Sequence, residues 1–287
     1  MAEDAAMILV NRLLGQAQAL AAVIAYPRLS AAEDSADPEL RSRVEEVVDV
    51  LGARDALDSL TDRERNVVIG FARSYLHQAL ELADHPGRAN AWSHDDPAIL
   101  QAQGAASTVV ASLIAHTGLG ADGDRILDVG TGVAGLAIAF CETFADSTVV
   151  GLDPWEPALA LARGNVANAN LESRITLVPL PIQEYEDADG FDLVWLPSFF
   201  IPEAFIDDAL RRVRTLLRPD GRVVVGVMER AGDALARAVD AMITVRSGGA
   251  VLETEQGIER LQQAGFARAF EADRTWQAPL RFVVGTG

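Results

Sequence analysis

The sequence predicts an α/β protein: a doubly wound, mostly parallel sheet with a terminal antiparallel strand, preceded by an all-helical N-terminal region. Three observations carry this expectation. Residues 1–120 place apolar side chains at helical spacing and contain no strand-like run. From about residue 121, short β-rich runs alternate with helical ones, the pattern of a parallel sheet covered on both faces. At the head of that alternation, the apolar run Arg125-Ile126-Leu127-Asp128-Val129 breaks into the turn Gly130-Thr131-Gly132-Val133-Ala134-Gly135. Its glycines let the backbone turn sharply and approach a ligand without Cβ obstruction.

The N-terminal helices come first. Apolar residues recur at helical spacing from Ala5 to Ala25, from Leu40 to Leu51 and from Val67 to Leu82. Pro27 and the stretch from Ser30 to Pro38, rich in Ala, Asp and Ser, separate the first two helices. Thr61-Asp62-Arg63-Glu64 has the spacing of a capping box ahead of the third. Asp84-His85-Pro86-Gly87 forces a turn. Asp96-Pro97 then starts a further helix, with an acid at the N-cap and proline in first position, expected to reach His116 or Thr117 and to stop at Gly118.

Beyond residue 121, strands are expected at 124–129, 148–153, 174–179, 191–196, 222–228, 267–272 and 281–285, with helices at 133–145, 156–169, 203–217, 230–244 and 254–264. Between the last two strands there is only a loop around Asp273 to Leu280. Without a crossover helix that pair is antiparallel. The sheet is therefore Rossmann-like and doubly wound, ending in one antiparallel strand. Two domains follow: residues 1–120, a helical region that lids the crevice or dimerises, and residues 121–287, the ligand-binding sheet domain.

The composition excludes several classes of function. The chain has 287 residues, 49% of them apolar, which suffices for a packed core. A net charge of −18 argues against nucleic acid or an anionic membrane surface as partner, since both need a basic patch. There is no lysine, so Schiff-base chemistry and the P-loop lysine are excluded. The single cysteine, Cys141, rules out internal disulfides and multi-cysteine metal sites and fits a reducing cytoplasm. On the helix after the glycine turn it reads as a buried structural thiol. The apolar stretch from Ala5 to Tyr26 is interrupted by Asn11, Arg12, Gln16 and Gln18, and reads as neither a signal peptide nor a spanning helix.

Two ligand classes compete for the glycine turn. Gly130, Gly132 and Gly135 fit G-x-G-x-x-G, and Asp153 stands 18 residues past Gly135, near the spacing of a dinucleotide fingerprint's ribose-binding acid. Asp128, two residues before the first glycine, would repel a pyrophosphate and would suit a cationic ligand. Arg125 to Leu136 resembles motif I of the class I S-adenosylmethionine-dependent methyltransferases, whose cofactor carries a sulfonium and an ammonium. Phe191-Asp192-Leu193-Val194-Trp195-Leu196 resembles that family's motif IV, and Leu216 to Val225, with Arg218-Pro219-Asp220-Gly221, its helix-turn-strand element. Glu253 to Phe266 resembles its last helix. The resemblance runs in order over residues 125–287.

It implies S-adenosylmethionine as cofactor and assigns residues to it. Asp128, Gly130, Thr131 and Gly132 belong to the glycine loop. Asp153, at the end of Val149-Val150-Gly151-Leu152, would accept both ribose hydroxyls. Pro154 and Trp155 would lie against the adenine. Where such families place an acid for the adenine amino group, this chain has Leu180-Pro181-Ile182-Gln183-Glu184, with Pro181 in that acid's place; the Gln183 amide oxygen can accept from the amino group and the Ile182 backbone can meet the ring. Leu196, closing motif IV, completes the set.

The implied chemistry is methyl transfer to a small apolar or aromatic molecule, with oxygen favoured over nitrogen or carbon. Leu196-Pro197-Ser198-Phe199 replaces the Asn-Pro-Pro-Tyr-like sequence of enzymes acting on amide or adenine nitrogen. No acid stands between Trp195 and Pro202, which weighs against a metal-assisted catechol type. The segment Ser198-Phe199-Phe200-Ile201 is an apolar wall, and Ser198, Phe199 and Trp92 are the substrate candidates. All four histidines precede the glycine turn. His94, in Ala91-Trp92-Ser93-His94-Asp95-Asp96, is the candidate general base because neighbouring carboxylates can orient it. Two alternatives stay open: a fold relative that binds S-adenosylmethionine without transferring methyl, and an NAD-dependent oxidoreductase. The partners expected are a small-molecule substrate and a second copy of the chain through the N-terminal helices, with no nucleic acid, membrane or metal.

Overall fold

The computed structural model describes residues 2–31, 37–228, 234–276 and 279–287. It divides into two compact units, Met1–Asp84 and His85–Gly287.

The first unit is helical: α1 (Ala2–Ala31), α2 (Pro38–Val50), α3 (Arg54–Ser59) and α4 (Asp62–Asp84). Asp37 caps α2, accepting the Leu40 N–H at 2.9 Å, with Pro38 in the first turn. The predicted capping box is present: Thr61 donates its N–H to the Glu64 carboxylate at 2.8 Å, and the Glu64 N–H returns to Thr61 Oγ1 at 3.3 Å. Tyr26, Val48 and Leu57 form a small core of their own, and the Tyr26 hydroxyl donates to Asp58 at 2.9 Å. Helix α1 runs through Pro27, where the sequence predicted a boundary. Pro27 stands near the C-terminal end of the helix, so it forfeits one backbone bond and leaves little helix beyond it to disrupt. The short α3 had no periodic pattern long enough to announce it.

The second unit is the α/β body. Two helices, α5 (Pro97–Ser107) and α6 (Val109–His116), lead into β1 (Arg125–Val129), α7 (Gly135–Thr143), β2 (Thr148–Leu152), α8 (Glu156–Asn168), β3 (Ile175–Val178), β4 (Phe191–Pro197), α9 (Ile206–Leu216), β5 (Leu217–Met228), α10 (Ala234–Arg246), α11 (Thr254–Gln263), β6 (Arg268–Glu271) and β7 (Leu280–Thr286). The expected helix from Pro97 divides at Thr108. By length and composition Pro97–His116 could cross a membrane. In the fold, Leu100 and Gly104 of α5 and Ala111 and Ile114 of α6 are buried within the α/β body. Residues 230–233 of the predicted helix at 230–244, and residues 32–36 of the predicted linker, lie outside the described residues.

The seven strands form one sheet in the order β3-β2-β1-β4-β5-β7-β6. Strands β1 to β5 pair in parallel, while β7 pairs antiparallel with both β5 and β6. The expected antiparallel strand is therefore last in the chain but sits inside the sheet, between β5 and β6. This order differs from the all-parallel 3-2-1-4-5-6 of dinucleotide domains. Alternation sorts the strand side chains into two layers: Ile126, Val149 and Leu193 into one, Leu127, Val150 and Val194 into the other. Strand β1 is the switch point, flanked by β2 and β4, and the crevice beyond the carboxyl ends of these strands is where a ligand fits.

Candidate active site

The turn after β1 takes its shape from three left-handed residues: Gly130 (φ +74°), Gly132 (φ +56°) and Ala134 (φ +64°). Glycine is at home there; alanine carries a strain of about 1–2 kcal/mol. The turn is bound to β2. Gly130 and Thr131 both donate their N–H to the Leu152 carbonyl, at 2.8 and 2.9 Å. Gly132 donates to Asp153 Oδ2 at 2.8 Å, and Trp155 donates its backbone N–H to Asp153 Oδ1 at 2.8 Å. Each carboxylate oxygen of Asp153 thus spends one lone pair on the backbone and keeps another for a ligand. Burial raises the pKa of Asp153, while the two N–H donors oppose the rise.

Asp128 lies beneath the turn. Its carboxylate is fully buried and accepts the Thr131 hydroxyl at 2.7 Å. Burial pushes its pKa up to about 7, helped by the charge of Asp153 and opposed by the Thr131 hydrogen bond. Gly151 makes room for this pair: a Cβ there would lie 2.7 Å from Thr131 Oγ1.

A cavity of about 590 Å³ opens over the turn. One end is formed by Gly130, Thr131 and Gly132, by Asp153, Pro154 and Trp155, and by Pro181, Ile182, Gln183 and Glu184 from the 3₁₀ turn after β3. The other end is formed by Asn90, Ala91 and Trp92, by Phe200, Ile201 and Phe205 after β4, and by Ser247 and Gly248 after α10. Helix α5 contributes Leu100, Gln103, Gly104 and Ser107 to its side. The aromatic rings are linked edge to face: Trp92 to Phe200 at 5.1 Å, and Phe200 to Phe199 at 5.1 Å. Among the described residues the side chains of Asn90, Gln103, Gln183 and Ser247 have no hydrogen-bond partner within the protein, so four neutral polar groups are left for a ligand.

Of the residues singled out from the sequence, Gly130, Thr131, Gly132, Asp153, Pro154, Trp155, Ile182, Gln183 and Trp92 line this one cavity. Five others are placed elsewhere. Asp128 supports the turn from below. Leu196 is fully buried in the core. Ser198 is buried and donates its hydroxyl to the Gly226 carbonyl at 2.8 Å, because the 3₁₀ turn over Ser198–Phe200 turns it inward and leaves Phe200 and Ile201 to the cavity. Phe199 stands behind Phe200. His94 packs its imidazole against the Trp92 ring at 4.7 Å and is not a lining residue.

The sequence reading missed Asn90, Gln103, Phe205, Ser247 and Gly248. One available sign was the Gly248-Gly249 pair. Gly248 is left-handed (φ +80°), and a Cβ on Gly249 would lie 2.0 Å from the Phe199 carbonyl oxygen. The Ala250 N–H donates to the carbonyls of Ser198 and Ile201, at 3.0 and 2.8 Å, which fixes this segment against the wall after β4.

Residues 126–221 match a family model described as a methyltransferase domain. Methyltransferase GfsG of Streptomyces halstedii is 31% identical over 133 residues, 44% of this chain and 47% of that protein, so the match spans about half the relative's length. Among solved structures, the mitomycin 7-O-methyltransferase MmcR superposes with a TM-score of 0.63 at 18% identity, covering 100% of this chain and 99% of that one. Human N-acetylserotonin methyltransferase, solved with S-adenosylmethionine, gives 0.67 at 15% identity, covering 98% and 97%. At such identities the structural likeness is one of fold.

Proposed function

We propose that this chain, whose residues 126–221 match a methyltransferase-domain model, transfers a methyl group from S-adenosylmethionine to an oxygen of a small aromatic or otherwise apolar molecule. The observation that carries the proposal is a single cavity with two unlike ends, one of glycine backbone and a carboxylate, the other of aromatic and aliphatic side chains.

The first end fits the cofactor. A Cβ at Gly132 would meet nothing within 4 Å and one at Gly130 only Pro197 Cγ at 3.9 Å, so the left-handed turn leaves open space where it lines the cavity. Asp153 has lone pairs for a pair of hydroxyls, and Gln183 and Glu184 offer acceptors for an amino group. When bound, the cofactor supplies a methyl group already activated on sulfonium. The chain's contribution is then alignment and exclusion of water. Trp92, Phe200, Ile201 and Phe205 hold a flat apolar acceptor, and Asn90 and Ser247 orient its polar substituents.

Among the described residues the titratable side chains that line the cavity are Asp153 and Glu184, both at the cofactor end. A base role for His94 requires its ring to turn from Trp92 toward the acceptor, and substitution decides it. We place the enzyme in the cytoplasm and in natural-product metabolism. Support comes from the buried lone Cys141 and from relatives such as the mitomycin 7-O-methyltransferase. We also propose a homodimer through the N-terminal helices, because α1 leaves Met7, Ile8 and Leu14 more than half exposed. Sedimentation showing a monomer at micromolar concentration would contradict the dimer.

The activity is tested with methyl-labelled S-adenosylmethionine and a panel of phenolic and polyketide hydroxyl acceptors. Label transfer with stoichiometric S-adenosylhomocysteine is expected for at least one aromatic hydroxyl. Tight binding with no transfer across the panel would favour a cofactor-binding relative without methyltransferase activity.

A further inference from the structure

We infer that Trp155 is a positioning residue that ties the cofactor end of the cavity to the loop carrying Trp92, so that filling the first steadies the second. The inference rests on the reading of the cavity as an S-adenosylmethionine site.

Trp155 is attached at both ends. Two residues past Asp153, it donates its backbone N–H to Asp153 Oδ1, while Oδ2 of the same carboxylate accepts the Gly132 N–H. A single carboxylate thus joins the glycine turn to the residue that opens α8. The Trp155 indole N–H reaches across the cavity rim to the backbone carbonyl of His94, 61 residues earlier in the chain, at 2.7 Å. The acceptor is a carbonyl, so the tie does not depend on the side chain at position 94.

On the far side the tie continues through rings. The His94 imidazole meets Trp92 at 4.7 Å, and Trp92 meets Phe200 at 5.1 Å. Residues 90–96 have no regular secondary structure to hold them. Locally, Arg88 donates to the Ala91 carbonyl at 2.9 Å; toward α10, Arg246 donates to the Arg88 carbonyl at 2.8 Å and the His85 carbonyl at 2.7 Å; and Asp96 caps α5, accepting the Ala98 N–H at 2.8 Å. Arg246 therefore ties the segment to α10, Asp96 joins it to α5, and the Trp155 indole ties it to the residue that opens α8. Trp155, Trp92 and Phe200 all line the cavity, so a ligand resting on Asp153 and Trp155 bears on the element that positions the acceptor wall. Alignment of the acceptor depends on that wall, where a displacement of about 1 Å costs on the order of a hundredfold in rate.

The test is amide hydrogen exchange of the full chain, with and without S-adenosylhomocysteine, for the natural sequence, Trp155→Phe and His94→Ala. Trp155→Phe keeps an aromatic ring and removes the donor. In the natural chain the ligand is expected to slow exchange over residues 88–96 as well as over 130–134. In Trp155→Phe, with the ligand raised until the variant is saturated, exchange at 130–134 is still slowed but slowing at 88–96 is lost. His94→Ala, which keeps the carbonyl, retains it. Slowing at 88–96 that survives Trp155→Phe overturns the inference, as does ligand binding to the natural chain without slowing there. Failure of S-adenosylhomocysteine to bind the natural chain overturns the cofactor reading itself, and the inference with it.

Discussion

Gly104 of α5 and Gly135 at the head of α7 meet backbone to backbone: a Cβ on Gly135 would lie 2.2 Å from the Gly104 carbonyl oxygen and 2.6 Å from its carbonyl carbon. This contact lays α5 against the cofactor turn and brings Gln103 and Ser107 to the cavity. Gly135→Ala drives a methyl into main chain, which cannot swing aside. Gly104→Ala instead meets Val133 Cγ2 at 2.1 Å, the tip of a side chain. Both variants are expected to lose stability by about 1–3 kcal/mol, with Gly135→Ala the worse. Thermal unfolding of the pair checks the order.

Gly249 packs against the turn after β4 in the same way, with its Cβ position 2.0 Å from the Phe199 carbonyl oxygen. Gly249→Ala is expected to displace the turn that carries Phe200 while leaving the glycine turn and Asp153 in place. Affinity for S-adenosylmethionine should stay within about threefold, while turnover falls on the order of a hundredfold. Calorimetry and label transfer on one preparation separate the two effects.

For His94 the expected outcome is a modest loss. His94→Ala removes the ring that props Trp92 but keeps the carbonyl that holds Trp155. Turnover is expected to fall less than about tenfold, with an unchanged pH profile. A fall of about a hundredfold or more, with loss of a limb near neutral pH, is the signature of a general base and would assign that role to His94.

Asp128 makes stability depend on pH. Burial raises its pKa to about 7 in the fold, well above the ordinary carboxylate range. The folded state therefore binds the proton more tightly, and the contribution is fully present below about pH 4 and lost as pH rises toward 7. Asp128→Asn keeps an acceptor for the Thr131 hydroxyl and removes the titration. The stability of the natural chain relative to this variant is expected to decline between about pH 4 and 7 and to level off above. Denaturant melts at four pH values follow it.

The sheet was legible because most of its strands are local apolar runs ended by a turn, β6 with Arg268 and Glu271 being the exception. All seven were found, including the antiparallel pairing that follows from a missing crossover helix. The insertion of β7 between β5 and β6 was not legible, since sequence order does not fix neighbours in a sheet. Strand β5 starts at Leu217, earlier than expected, because the chain pairs Leu217 with Phe191 and then skips to Arg222 opposite Leu193, leaving Arg218 to Gly221 as a bulge.

The end of the cavity that we propose for the cofactor lies in short sequence runs, a glycine turn and then an acid at the next strand end, and the sequence singled out those lining residues. Even so, the third left-handed position is Ala134, one residue before the glycine that completes the sequence pattern. The other end of the cavity could not be read. It is assembled from residues 90–92, 200–205 and 247–248, which meet only through tertiary contacts such as Gly249 against Phe199.

Asp153 and the turn at Gly130 to Gly132 are the proposed S-adenosylmethionine contacts. Calorimetric titration of the natural chain and of Asp153→Asn tests this assignment most directly. Saturable one-to-one binding is expected, competed by S-adenosylhomocysteine, and weakened in Asp153→Asn by about ten- to a hundredfold, the range of a charge-assisted hydrogen bond. A natural chain that binds neither ligand, or an Asp153→Asn variant that binds as well as the natural chain, would contradict it.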